Sequence, residues 1–347
     1  MSGPVQVRRA QRAAKRIAVA LVTFVALLMI TGAVVEAIAR HRATSRFPLQ
    51  GRLVDIGGRR IQIDCRGSGS PTVVLESGLD LLGSLSWAAV HHSIANTTRV
   101  CAYSRAGIMW SDPSTLPFSS ANVARDLHAA LDRAGESAPL VMVGHSIGGP
   151  YVMAFTKLYG DQVAGVVFVD ASHPDQMERT QRATGMPMTP PTGVLSFGAA
   201  MARTGLTRMV AGDVAPPPAP GVVHEASSAY AATSLASGLR ETKALSATFA
   251  SAQLSRRFGS RPIVVLSAMA EVPAAEREKQ HMSVAQTERL RAAWKELQED
   301  ETTWSTRARH VLVRDAGHYI QFDRPDVVVA AVREVVCAVR LERRMPC

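Results

Sequence analysis

The sequence predicts an α/β architecture: a mostly parallel, doubly wound sheet with an N-terminal β-hairpin and a helical cap insertion, preceded by one transmembrane helix. Three observations predict it. Short, mostly apolar runs, 71–75 (PTVVL), 163–169 (VAGVVFV, apolar along its whole length) and 262–266 (PIVVL), read as buried-type strands. Helix-compatible stretches alternate with them, as crossover connections between parallel strands require. Residues 17–39 form a 23-residue run whose single charge, Glu36, lies near its far end. As a helix at ~1.5 Å per residue that run spans roughly 35 Å, enough to cross a hydrocarbon core.

The elements follow in order. Residues 1–16 form a basic tail and 40–50 a short polar linker. Residues 51–56 and 60–65 read as two strands joined at Gly57-Gly58, a hairpin signal. After the strand at 71–75, residues 85–95 read as one helix with Trp87 packed in the core. A strand follows at 98–103. Residues 120–135 read as a helix capped by Ser120 and stopped by Gly135. Residues 139–143 form the next strand, 163–169 another, and 262–266 and 310–313 close the set. Residues 325–341 make a final helix. The core is thus 51–172 and 261–347. Residues 173–260 break the rhythm, with a hinge-like proline run at 215–220 between helix-compatible pieces at 192–211 and 223–253. They are expected to form a cap over the strand ends.

The net charge of +10 raises a nucleic-acid reading, but its distribution excludes it. Arg8, Arg9, Arg12, Lys15, Arg16, Arg40, Arg42 and Arg46 stand against Glu36 alone in the first 46 residues, so most of the excess flanks the apolar run. Five basic residues before that run predict a cytoplasmic N-terminus and a domain outside the membrane. A signal peptide cleaved near Ala37-Ile38-Ala39, giving a secreted protein, is the rival; the run exceeds the usual length of a signal h-region. Export permits disulfides. Cys65 ends one predicted strand and Cys101 lies in another; Cys337 sits in the last helix and Cys347 is the final residue. The expected pairs are Cys65–Cys101 and Cys337–Cys347, one of three connectivities, with four free thiols as the alternative. No metal site and no cofactor are expected.

The motif that carries chemistry is Gly144-His145-Ser146-Ile147-Gly148, which fits G-x-S-x-G between a strand and a helix. A serine hydroxyl needs a base, exposure and donors for the oxyanion it creates. A sharp strand-to-helix turn gives exposure, and the Ile147 N–H then sits at a helix N-terminus. Catalytic groups in such sheets gather at the carboxyl ends of strands. Asp170 follows the strand at 163–169, and His318 follows the last strand. His145 and His173 are read as structural neighbours.

The order Ser, Asp, His and these strand ends resemble the α/β-hydrolase family over roughly residues 50–342. Leu75-Glu76-Ser77-Gly78-Leu79 occupies the place of the family's oxyanion loop, which implies the Leu79 N–H as a second donor beside Ile147 and leaves Glu76 as a brace. Tyr103-Ser104-Arg105-Ala106-Gly107 resembles the family's Asp-Arg-x-Gly turn, with Ser104 where aspartate is common and Met109 where glycine is common. The resemblance implies Ser146 as nucleophile, His318 as base and Asp170 as acid. Many relatives place the acid after the strand equivalent to 262–266, where this chain offers Glu271, so Glu271 is the alternative acid.

The function expected is a membrane-anchored, extracytoplasmic serine hydrolase of carboxylic esters, with acyl lipids among the candidate substrates. Its partners would be a small-molecule or lipid ester and, through the N-terminal helix, the membrane; no nucleic acid is expected. The alternatives are an acyltransferase or a cofactor-free haloperoxidase-like member, and a non-enzymatic binding or sensing module. The related epoxide hydrolase and haloalkane dehalogenase branches use aspartate where this chain has Ser146.

Overall fold

The structure, a computed structural model, describes residues 4–186 and 215–347 together with the isolated positions 193, 196, 198 and 199. The expected helix at 192–211 lies largely outside the described residues.

An eight-stranded sheet runs through the described residues: β1 (Arg52–Asp55), β2 (Arg60–Arg66), β3 (Thr72–Glu76), β4 (Val100–Ser104), β5 (Leu140–His145), β6 (Val163–Val169), β7 (Ile263–Ala268) and β8 (Ala308–Val313). Their order across the sheet is β1-β2-β4-β3-β5-β6-β7-β8. Only β1–β2 and β2–β4 pair antiparallel. The strands at the middle are buried on both faces, as their largely apolar runs require. The order reverses at β3, which takes β4 on one side and β5 on the other. A crevice opens at the carboxyl ends of strands where the order reverses.

The helices are α1 (Pro4–Arg46), α2 (His91–Ala95), α3 (Ser120–Ala134), α4 (Gly148–Tyr159), α5 (Gln176–Thr184), α6 (Gly221–Lys243), α7 (Leu245–Gln253), α8 (Ala274–Lys279), α9 (Val284–Thr302), α10 (Ile320–Asp323) and α11 (Pro325–Glu342). Leu127, Leu131, Val152 and Phe155 of α3 and α4 pack on one face of the sheet. Ile94 of α2 and Val328, Val332 and Val335 of α11 pack on the other. At Gly165 of β6 an added Cβ would lie 2.4 Å from Val335 Cγ1, so glycine sets how closely α11 approaches the sheet.

Four boundaries differ from the sequence reading. The helix expected at 85–95 is a short 3-10 turn at Gly83–Trp87 followed by α2. Asp80 is the cause: its Oδ1 accepts from Leu82 N–H at 3.1 Å and its Oδ2 from Ser86 Oγ at 2.9 Å, which tightens the chain before a full α-turn forms. The cap of α3 is Ser119, one residue earlier than expected, with Gly135 at φ +77° ending the helix. The piece expected at 223–253 is two helices, α6 and α7, divided at Ala244. The polar linker expected at 40–50 is helical to Arg46: Ala43 and Phe47, four residues apart, pack on Val223, Ala226 and Tyr230 of the cap.

α1 contains the candidate membrane span, 36 residues from Gln11 to Arg46 with mean hydropathy 2.6 in its most apolar window. None of that window is buried among the described residues. Both expected disulfides are present, Cys65–Cys101 between neighbouring strands β2 and β4, and Cys337–Cys347 from α11 to the last residue.

Candidate active site

The chain turns sharply between β5 and α4 at Ser146, whose φ is +53°. A non-glycine residue there costs on the order of 1–3 kcal/mol and persists only where its surroundings enforce it. The enforcement is visible. The Ser146 carbonyl accepts from Gly149 N–H at 3.0 Å and from Ser172 N–H at 2.8 Å. Gly148 fits because a Cβ there would lie 2.5 Å from the Glu76 carbonyl oxygen. The turn therefore requires the second glycine of the motif, and β3 lies close enough to demand it.

Asp170 stands at the end of β6 with φ +43°, its N–H bonded to the Leu266 carbonyl at 2.7 Å. Its carboxylate receives three donors. His318 Nδ1 donates to Oδ2 at 2.6 Å. Ala268 N–H and Trp294 Nε1 both donate to Oδ1 at 2.8 Å. Asp170 is buried, whereas the His318 side chain is 43% exposed and so open to a substrate. With Nδ1 committed to Asp170, Nε2 of His318 is the nitrogen left to exchange a proton.

His145 is fully buried, and its Nε2 donates to the His318 carbonyl oxygen at 2.9 Å. Burial, then the neighbouring His318, hold its pKa well below the usual histidine range. It is a neutral strut under His318. His173 is likewise buried and committed, with Nε2 on Asp300 at 2.8 Å and Nδ1 accepting from Asp175 N–H at 3.0 Å.

The loop after β3 crosses the Ser146 turn. A Cβ on Gly78 would lie 2.9 Å from His145 Nδ1 and 3.1 Å from Ser146 Cβ, so only glycine brings the backbone this close. Leu79 follows directly and packs with Ile147, Tyr151 and Phe249. Arg105 fixes the loop from behind. Its Nη1 donates to the Glu76 carboxylate, the Ser77 carbonyl and Ser77 Oγ, each at 2.9 Å, and its Nη2 to the Gly78 carbonyl at 2.7 Å. Tyr103 also donates to Glu76. Glu76 therefore braces this loop, and burial nevertheless raises its pKa to about 7 against the pull of Arg105.

The two departures from the family turn are accommodated. Ser104 Oγ donates to Gln62 Oε1 at 2.6 Å and accepts from Ser84 N–H at 3.2 Å. Met109 adopts φ +50°, the backbone region that favours glycine, and its N–H donates to Ser234 of the cap at 2.9 Å.

Ser146, Asp170 and His318 line one cavity of about 590 Å³, with Gln176, Thr180, Met186, Met282, Arg291 and Trp294 among its walls. Glu271 lies on the exposed loop after β7, and His318 Nδ1 bonds Asp170 instead. The sequence reading assigned no element to residues 270–309, where α9 carries Trp294 to Asp170. Ser283 and Gln286, a reciprocal capping box, were the signal available there. Among the described residues the one grouping with metal-ligand proximity is Cys65, Cys101 and Glu136. Its sulfurs are joined in a disulfide and Glu136 is bound by Arg99, so it offers no ion a thiolate.

Residues 58–331 match the Alpha/beta hydrolase family. The chain belongs to the α/β-hydrolase family. Solved structures of two hydrolases share this fold. Epoxide hydrolase CorEH superposes with a TM-score of 0.57 at 17% identity, covering 83% of this chain and 98% of the other. An esterase of Exiguobacterium antarcticum gives 0.58 at 14% identity, covering 83% and 99%. Two curated relatives match over shorter stretches. A probable transporter, efuK, of Hormonema carpetanum is 33% identical over 128 residues, 35% of this chain and 18% of its own. An uncharacterized protein, YbdG, of Bacillus subtilis is 23% identical over 128 residues, 37% of this chain and 39% of its own. The chain thus spans well under half the length of these curated relatives.

Proposed function

We propose that this α/β hydrolase cleaves carboxylic esters through an acyl-enzyme, with Ser146 as nucleophile, His318 as base and Asp170 as its acid partner. The observation that carries the reading is the His318 Nδ1–Asp170 Oδ2 bond of 2.6 Å beside a serine held at positive φ in the same cavity. His318 takes the Ser146 proton as Oγ attacks the carbonyl, then returns it to the leaving alcohol. Asp170 holds the imidazole in the required tautomer and stabilises its cation. The Leu79 and Ile147 N–H groups hold the oxyanion, a contribution on the order of 3 kcal/mol per donor. Water then releases the acid by the same steps in reverse. The reading places α1 in the membrane as an uncleaved anchor and the site outside it.

A fluorophosphonate probe on the full chain in detergent tests the assignment. Labelling of the wild type and none of Ser146→Ala is the expected result, together with turnover of nitrophenyl esters. Equal labelling of both proteins, or retained turnover by Ser146→Ala, overturns it.

A further inference from the structure

The cavity beside Ser146 is lined mostly by apolar and uncharged side chains, with one cation among them. Arg291 lies in α9, three residues before Trp294 and therefore on the same helix face, one turn along. Trp294 is fixed to Asp170 Oδ1 at 2.8 Å, and Gln298, the next turn on, donates to the Ala171 carbonyl at 2.7 Å. This face of α9 is thus tied to the acid loop at two successive turns, and Arg291 continues the same line along the cavity wall.

Among the described residues the guanidinium is held but not neutralised. Its Nη2 donates to the Met269 carbonyl at 2.7 Å, which fixes its place. Its Nε is buried and has no hydrogen-bond partner. Among the described residues no carboxylate forms an ion pair with it. The acid of the cavity wall, Asp170, is already engaged by three donors. A buried donor left without a partner destabilises the fold, the more so when the group is charged. Arginine's planar fork matches a carboxylate or phosphate, and a lysine or a neutral donor would not reproduce that geometry.

We propose that Arg291 is a specificity determinant that binds an anionic oxygen group on the substrate, so that the preferred esters carry a carboxylate or phosphate as well as the scissile bond. This rests on the ester-hydrolase reading for the reaction but not for the binding. Three residues of helix rise about 4.5 Å, so Arg291 lies a little under one turn along α9 from Trp294. Arg291 and Ser146 line the same cavity, so a spacer between ester and anion places the carbonyl at Ser146 and the charge at the guanidinium. The wall of Met186, Met282, Val272 and Leu290 receives that spacer.

Binding to the full-length Ser146→Ala protein in detergent tests the subsite without turnover. Calorimetry would compare monomethyl glutarate with methyl pentanoate, and with the methyl ester of phosphorylated hydroxybutanoate. The expected result is tighter binding of an anionic ester by roughly tenfold or more, a preference that Arg291→Gln removes and Arg291→Lys partly keeps. Preference for carboxylate over phosphate, or the reverse, identifies the substrate group, and either supports the proposal. Equal binding of charged and neutral esters, or a preference that survives Arg291→Gln, overturns it. A purely structural Arg291 would lower melting temperature and weaken every ligand alike, leaving the ratio unchanged. Fluorophosphonate labelling of the Arg291→Gln chain with Ser146 intact reports separately on the nucleophile. Loss of labelling in the wild type defeats the hydrolase reading while leaving the charge preference to be judged by the binding ratio.

Discussion

Arg105 and Glu241 join the cap to the core at the back of the site. The guanidinium of Arg105, at the end of β4, donates from Nε at 3.1 Å and from Nη2 at 2.7 Å to the two carboxylate oxygens of Glu241 in α6. Its remaining donors hold Glu76 and the backbone of Ser77 and Gly78. It lies 5.0 Å from the centre of the Tyr151 ring. One buried cation thus couples the cap helix to the loop that passes over Ser146.

Removing that cation leaves two buried carboxylates without a partner. Breaking a buried pair in this way costs about 3–5 kcal/mol. Arg105→Met should therefore lower the melting temperature strongly, and lower kcat in whatever fraction remains folded, because Gly78 loses its anchor. The triple variant Arg105→Met, Glu76→Gln, Glu241→Gln should recover part of the stability, since no unpaired charge remains. Thermal denaturation of the set decides it; a single variant as stable as the wild type would show the network to be idle.

The legibility of this molecule in its sequence followed from how local each signal was. β3, β5, β6 and β7 were readable because strands covered on both faces must be apolar throughout. The Ser146 turn was readable because its residue spacing is a local pattern, although Gly148 itself is demanded by the Glu76 carbonyl of β3, far away in the chain. Asp170 and His318 were readable as strand-end residues once the strands were placed. What failed depended on particular side-chain contacts, near or distant, that no apolar periodicity announces. The 3-10 turn at Gly83–Trp87 is set by Asp80 outside it, and the helical ending of α1 by packing of Ala43 and Phe47 on α6, far along the chain. α9 was passed over because it shows no clear apolar stripe: its buried face carries Thr287, Gln298 and Glu301 beside Ala293 and Leu297. With it went Trp294 and Arg291, whose roles exist only where α9 meets the cavity.

Trp294 supplies one of the two donors on Asp170 Oδ1, beside Ala268 N–H. Trp294→Phe keeps most of the ring and deletes that donor. A hydrogen bond to a charged group is worth about 1.5–3 kcal/mol, so kcat should fall roughly tenfold or more as Asp170 loses its fixed orientation toward His318. KM should change little, since the loss concerns the orientation of His318. Steady-state kinetics on a nitrophenyl ester separates the two parameters; a change in KM alone would make Trp294 a wall residue and nothing more.

Stability should carry a pH signature from the loop after β3. Burial, opposed by Arg105, raises Glu76 to about 7 and Asp80 to about 6. A carboxyl whose folded pKa lies above its unfolded one binds its proton more tightly in the native state. Its stabilising contribution is complete below the unfolded value and is lost as pH rises through the folded value. The window is therefore from the ordinary carboxylate range up to about 6 for Asp80 and about 7 for Glu76. Asp80→Asn and Glu76→Gln should each flatten the wild-type decline in melting temperature across that window. Melting curves of variant and wild type that stay parallel through it would refute the assignment.

The end of α1 makes a prediction that separates its two roles. The apolar window is exposed throughout, whereas Ala43 and Phe47 pack on the cap, and Arg46 Nη2 bonds Glu225 at 2.6 Å. The Phe47 carbonyl accepts from Tyr230 at 3.2 Å. A chain starting at residue 40 removes the span and keeps this clasp; a chain starting at residue 50 removes both. The full chain should remain with membranes after alkaline carbonate washing, and both shortened chains should be released. The shorter one should also melt lower, because an unpacked, half-buried phenylalanine forfeits about 1 kcal/mol and uncovers Val223, Ala226 and Tyr230. Release of the full chain by carbonate would remove the membrane from the account. Equal melting temperatures for the two shortened forms would mean that the clasp contributes nothing, and that α1 meets the cap without holding it.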